Sequence, residues 1–239
     1  MAEWWAEFQQ HFYISFIQAD RWQLYIKGLG TTLLLTIIAL GIGIVLGILV
    51  AVVRSAHDQQ DPNKKKNPVL GFFNALGVIY VTVIRGTPSM VQLMIMYFVI
   101  FANSRNKVAV AALAFGINSG AYVAEIIRGG IMAVDRGQME AGRSLGFGYA
   151  KTMRLIIIPQ AFKIILPALG NELITLIKET SIVTIIGCVD LLKAAQLIGG
   201  KIYYYAMPLY GVALVYLIIV MLLTWLFGKL ERRLRADER

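Results

Sequence analysis

Residues 28–53 read GLGTTLLLTIIALGIGIVLGILVAVV, without a single charged side chain. At 1.5 Å rise per residue, a helix of that length exceeds the roughly 30 Å of a bilayer's hydrocarbon core. In hydrocarbon every backbone polar group must be satisfied within the segment, so the run reads as a membrane-crossing helix. A second charge-free run covers 202–228. Hydrophobic residues make up 58% of the chain, above the 45–50% usual for soluble domains. The expected fold class is therefore all-α, a polytopic membrane protein of about five transmembrane helices.

Working outward from the first run, the spacing predicts a first span over Lys27–Arg54. Gly43 and Gly47, four apart, permit close helix approach. Upstream, Trp4, Phe8, Phe12 and Phe16 recur every fourth residue, which sets four aromatics on one helical face. That suits a helix lying at the membrane interface or one packed on the bundle. The start lacks the basic, apolar and small-residue segments of a cleaved signal. Downstream lies a polar loop, Ser55–Pro68, with the basic run Lys64, Lys65, Lys66. The apolar stretch after it is interrupted by Arg85-Gly86-Thr87-Pro88, because proline removes a donor and disfavours helix before it. Leu70–Ile84 is expected to be a partly interfacial helix and Ser89–Ala102 the second crossing. A turn at Asn103–Lys107 precedes a third span, Val108 to about Ile127. A fourth is expected from about Gln160 to Ile186, then a mixed loop from Cys188 to Tyr205. The fifth ends at Gly228.

The formal charge is +9, yet the basic residues sit at the ends of apolar runs. That is the pattern of positive-inside anchoring, and it argues against nucleic acid as a partner. With five spans, Lys64–Lys66, the 128–154 segment and the basic tail fall on one side. The N-terminus is then expected outside and the C-terminus in the cytoplasm. One cysteine, Cys188, excludes an internal disulfide. His11 and His57 stand apart from other metal-ligand residues, and no metal site is expected. Gly199-Gly200-Lys201 is followed by Ile202 and makes no P-loop, so any uphill work is expected to draw on another chain or an ion gradient.

The most specific segment is Glu140-Ala141-Gly142, three residues, Gly146, nine residues, then Ile156-Ile157-Ile158-Pro159. It resembles the EAA loop of the permease subunits of ABC importers, with Gly142 for the second alanine and Ile158 for leucine. Arg85-Gly86-Thr87-Pro88 with Gln92, Asn118 through Glu125 and Arg128, and Gly170-Asn171-Glu172 through Lys178-Glu179 look like the polar amino-acid permeases of the histidine/glutamine/arginine group. The resemblance covers roughly Tyr25 to Leu234. It implies a transmembrane domain over 25–235 with its coupling loop at about 133–159; the interfacial aromatic helix over 1–24, read from its own spacing, lies outside the match, and a cytoplasmic tail is expected over 236–239. The resemblance further implies a multi-pass protein of a prokaryotic inner membrane, embedded in lipid. Implied partners are two ABC ATPase subunits, a second permease chain, identical or paralogous, and an extracytoplasmic binding protein. The resemblance also implies that the chain is itself no enzyme. No cofactor is expected in this chain, ATP and magnesium being held by the ATPase.

Locally, Gly137–Leu145 permits a short helix, with Glu140 and Arg143 close enough to pair. Gly146 suits a left-handed corner, and Tyr149, Met153 and Ile157 form an apolar stripe after it. Glu140, Ala141, Gly142, Leu145, Gly146 and Pro159 are the expected ATPase-coupling residues. Glu172 lies thirteen residues beyond Pro159, about 20 Å along a helix and so near mid-membrane. A carboxylate there is costly and normally faces a cavity or a partner. A zwitterionic amino acid needs an acceptor for its ammonium and a donor for its carboxylate. Asn171, Glu172, Thr175, Lys178 and Glu179 are the expected substrate contacts, with Asn118, Tyr122 and Gln92 beside them. Arg85 reads as snorkelling to the headgroups, and Glu125 with Arg128 as an ion pair. An ion-coupled secondary transporter and a membrane-embedded enzyme are the rival readings. The first would show an inverted repeat and need no docking loop. The second lacks any nucleophile or metal constellation.

Overall fold

The computed structural model describes residues 2–60 and 67–236. The Lys64–Lys66 run and the last three residues of the tail lie outside the described residues. Ten α-helices follow one another in the described chain: α1 Ala2–Phe12, α2 Trp22–Asp58, α3 Pro68–Gly86, α4 Ser89–Ile95, α5 Lys107–Met132, α6 Arg136–Ser144, α7 Tyr149–Thr152, α8 Ile158–Glu179, α9 Leu191–Ile202 and α10 Ala206–Ala236. Among the described residues, five segments are long and apolar enough to cross a membrane: Trp22–Asp58, Pro68–Gly86, Lys107–Met132, Tyr149–Ile186 and Ala206–Leu234.

Helix α5 is the centre of the bundle. Its most apolar 18 residues are 67% buried, against 6% for the last span. Its main neighbour is α2, and small residues set their separation. A Cβ on Gly47 would stand 2.7 Å from Val123 Cβ, and one on Gly43 would stand 3.0 Å from Ser119 Cβ. The close approach read from Gly43 and Gly47 is thus present. Gly116 and Gly120 return it from α5, under Ile42 and Leu46. In lipid there is little hydrophobic drive between helices, so this van der Waals contact contributes much of what holds the pair together.

The second crossing differs from the sequence expectation. Pro68–Gly86 has the length and composition of a span, whereas the apolar helix Ser89–Ile100 has 12 residues, about 18 Å, too short to span alone. The two follow one another along α5, with Tyr80 Oη donating to Ile117 O at 2.6 Å and Asn118 Nδ2 donating to Gln92 Oε1 at 2.9 Å.

The fourth span begins earlier than expected. Helix α7 continues through a π turn, Met153–Ile157, into α8. Pro159 has no amide hydrogen to give back to the preceding turn, and the wide turn just before it absorbs the mismatch. The connection between the fourth and fifth spans is not a loop but mostly helix α9. Asp190 caps it, accepting from Leu192 N at 3.2 Å and Lys193 N at 2.9 Å. Burial pushes the Asp190 carboxyl up, and those two amides draw it back down. Leu191, Ala194, Ala195 and Ile198 bury one face of α9 against Tyr25 and Val212.

At the N-terminus the aromatic stripe divides. Phe16 lies against Tyr25, ring centroids 5.3 Å apart, while Trp4, Phe8 and Phe12 are exposed. His11 stacks on Tyr204 with centroids 3.9 Å apart, tying α1 to the turn between α9 and α10.

Candidate functional site

The break between α3 and α4 is the first feature with chemistry. Four orphan carbonyls end every helix, and in a membrane they need partners. Thr87 Oγ1 serves Val83 O at 2.9 Å, and Gln92 serves the next: its Nε2 donates to Ile84 O at 2.7 Å, and also to Thr87 O at 3.1 Å and Thr87 Oγ1 at 2.7 Å. Its Oε1 accepts from Asn118, which is 5% exposed. Asn118 lies eleven residues into α5, about 16 Å, so the break sits near mid-membrane. Both Gln92 and Asn118, expected at the substrate, are engaged in holding the broken helix.

One turn along α5 from Asn118 lies Tyr122, 36% exposed. Arg85, in the last turn of α3, places its Cζ 5.2 Å from the Tyr122 ring centroid. It does not run out to the headgroups. Its Nη1 stands 3.7 Å from Glu125 Oε2. Glu125 also receives Arg54, their closest atoms being Nη1 and Oε1, and Arg128 Nη2 at 3.4 Å. Arg128 reaches in turn to Asp58 Oδ2 at 3.1 Å. The expected Glu125–Arg128 pair is therefore one edge of a network joining α2, α3 and α5. The parts played by Arg54 and Asp58 were missed, because their pairing depends on residues about seventy positions away in sequence.

On α8, Ser119 Oγ donates to Glu172 Oε1 at 2.7 Å. Glu172 is half-buried beside an exposed stripe of Asn171, Thr175 and Lys178, while Glu179 is partly buried two turns beyond Glu172. The expected polar face thus exists, with Glu172 turned inward to α5 and its neutral and cationic neighbours turned outward.

The loop after α5 forms a compact knob. Asp135 accepts from Gly137 N at 2.7 Å and caps α6. The helix ends in a Schellman arrangement: Phe147 N donates to Gly142 O at 3.1 Å and Gly146 N to Arg143 O at 2.9 Å. Gly146 adopts φ +83°, the left-handed corner read from sequence. Gly142 is buried under Thr152, and a Cβ there would meet Thr152 Cγ2 at 2.5 Å. The departure from the second alanine is thus matched by the residue packed on it. Glu140, Ala141 and Leu145 are exposed, Leu145 at 74%. Glu140 and Arg143 do not pair, both side chains lying on the open face. Pro159 is exposed at the start of α8. A 440 Å³ cleft, lined among others by Asp58, Met139 and Tyr149, separates the knob from the end of α2.

The family described as binding-protein-dependent transport system inner membrane component matches residues 69–236. The chain belongs to this family. It is 38% identical over 216 residues to the arginine transport system permease protein ArtQ of Bacillus subtilis (strain 168), covering 89% of this chain and 93% of that one. To the glutamine transport system permease protein GlnP of Escherichia coli (strain K12) it is 35% identical over 218 residues, with 89% and 93% covered. A solved amino acid ABC transporter with histidines superposes with a TM-score of 0.79 at 41% identity, over 88% of this chain and 94% of that chain. An inward facing MetNI methionine ABC transporter shares the fold, with TM-score 0.75 at 20% identity over 91% and 99% of the chains. The permease is thus the membrane-spanning subunit of an ABC importer and groups with amino-acid permeases. The two rival readings fall with that assignment.

Proposed function

We propose that the permease lines the path of a polar or charged amino acid, and that the central polar face of α8 contacts the substrate. The observation carrying this is Glu172, half-buried at mid-span and bonded to Ser119, beside exposed Asn171, Thr175 and Lys178. A carboxylate is kept at that depth only at a cost, which a cationic partner offsets. Arginine and glutamine in the names of similar permeases support an amino-acid cargo of this kind.

The chain itself hydrolyses nothing. Two ATPase subunits, holding ATP and magnesium, dock on the α6 knob through Glu140, Ala141 and Leu145. A second permease, identical or paralogous, completes the path, and a binding protein delivers substrate from outside. The test is a reconstituted complex with saturating loaded binding protein, comparing wild type with Glu172→Gln. This exchange keeps shape and removes charge. Transport is expected to fall at least about tenfold, the scale of one charge-assisted contact, while the complex still assembles. Unchanged transport would move the site away from α8, and loss of assembly would make Glu172 a structural partner of α5.

A further inference from the structure

The network around Glu125 does not balance. Among the described residues, three guanidinium groups, Arg54, Arg85 and Arg128, face two carboxylates, Glu125 and Asp58. One positive charge remains, and geometry says which. Arg54 is closest to Glu125, and Arg128 bridges Glu125 and Asp58. Arg85 makes the longest of the three contacts to Glu125, and its side chain is 44% exposed, against 14% for Arg54 and 28% for Arg128. Its guanidinium is held over the Tyr122 ring, which fixes the plane of its donors without using them. An ion of this kind within a membrane-spanning segment normally marks a pathway.

Its level matters as much as its charge. Tyr122, under Arg85, is one turn of α5 from Ser119, which holds Glu172. A cation on α3 and an anion on α8 therefore bear on successive turns of α5. Lys178 sits six residues beyond Glu172, about 9 Å further along α8, and offers only a point charge. Arginine presents a planar fork that matches a carboxylate in two parallel bonds. We propose that Arg85, on its Tyr122 platform, receives the α-carboxylate of the transported amino acid; this rests on the amino-acid path proposed above.

The experiment uses the purified importer, both permeases with the ATPase, without binding protein, in phosphatidylcholine nanodiscs. Binding of radiolabelled L-arginine and L-glutamine is measured, and of the same amino acids with the α-carboxylate replaced by an amide. Wild type should bind the acids at least about tenfold better than the amides. Arg85→Gln should lose that preference by weakening the acids alone, and Arg85→Lys should restore part of it. Equal binding of acid and amide by wild type overturns the proposal, as does full preference retained by Arg85→Gln. Failure of both variants to assemble also overturns it, assigning Arg85 to the Glu125 network. A preference that changes only after phosphatidylglycerol is added would assign Arg85 to lipid phosphate instead. Wild type that binds neither amino acid would fail the path reading itself, independently of the Arg85 variants.

Discussion

Gly146 shows how much one residue can carry. Its φ of +83° lies where a side chain costs roughly 1 kcal/mol or more, yet a Cβ there would touch nothing within 4 Å. A substitution therefore acts through the backbone alone. Gly146→Val is expected to disrupt the corner and weaken ATPase capture in a pull-down. Gly146→Asn, which tolerates the left-handed region, should retain most of it. If valine and asparagine behave alike, the corner is not what presents the knob. The conformation was legible because glycine beyond a short helix is the commonest way to end one. The Glu125 network was legible only in its local edge, at a spacing of three. Its other partners come from α2 and α3, and helical spacing carries no information about which distant helix a side chain will meet.

At the scale of elements, the broken second crossing is the informative case. Arg85-Gly86-Thr87-Pro88 announces a break in sequence, and the break is there. The expectation gave the crossing to Ser89–Ala102 alone; with the break near mid-membrane, the 19 apolar residues of Pro68–Gly86 share it. What makes the break tolerable is Gln92, whose amide serves Ile84 and Thr87 at once. Gln92→Leu is expected to leave those carbonyls unpaired in a dry environment, destabilising the complex by about 1–3 kcal/mol. The measurement is a thermal melt in detergent. A melt unchanged from wild type would mean that other groups satisfy the break. Helix α9 was missed although its cues were present: an aspartate cap at Asp190, then Leu191, Ala194, Ala195 and Ile198 at helical spacing. Lys193, Lys201 and the glycine pair at 199–200 lowered its apparent hydrophobicity, and burial against α2 and α10 outweighed that.

Across the whole molecule, two charge-free runs fixed the first and last spans, the basic segments falling on one side supported the count of five, and orientation follows from where those charges lie. The segment from Arg128 to Arg154 carries the α6 knob, while the turn after α9 lies one span away at the opposite end of the bundle. The positive-inside rule puts the knob in the cytoplasm. That orientation is expected to appear in cysteine labelling of intact cells with an impermeant maleimide. Cys188 is 4% exposed and contributes little background, and Cys188→Ala removes it. Two positions report the cytoplasmic side, Leu145→Cys on the exposed knob and Arg239→Cys in the tail. Two report the outside, Glu3→Cys in α1 and Tyr203→Cys, where the native side chain is 93% exposed. Glu3→Cys and Tyr203→Cys should label at once. Leu145→Cys and Arg239→Cys should label only after permeabilisation. Because α1 and the α9–α10 turn are joined by the His11–Tyr204 stack, the two outer positions must agree whichever way the bundle faces. Labelling of Leu145→Cys in intact cells would invert the molecule and put its knob beyond the reach of any cytoplasmic ATPase.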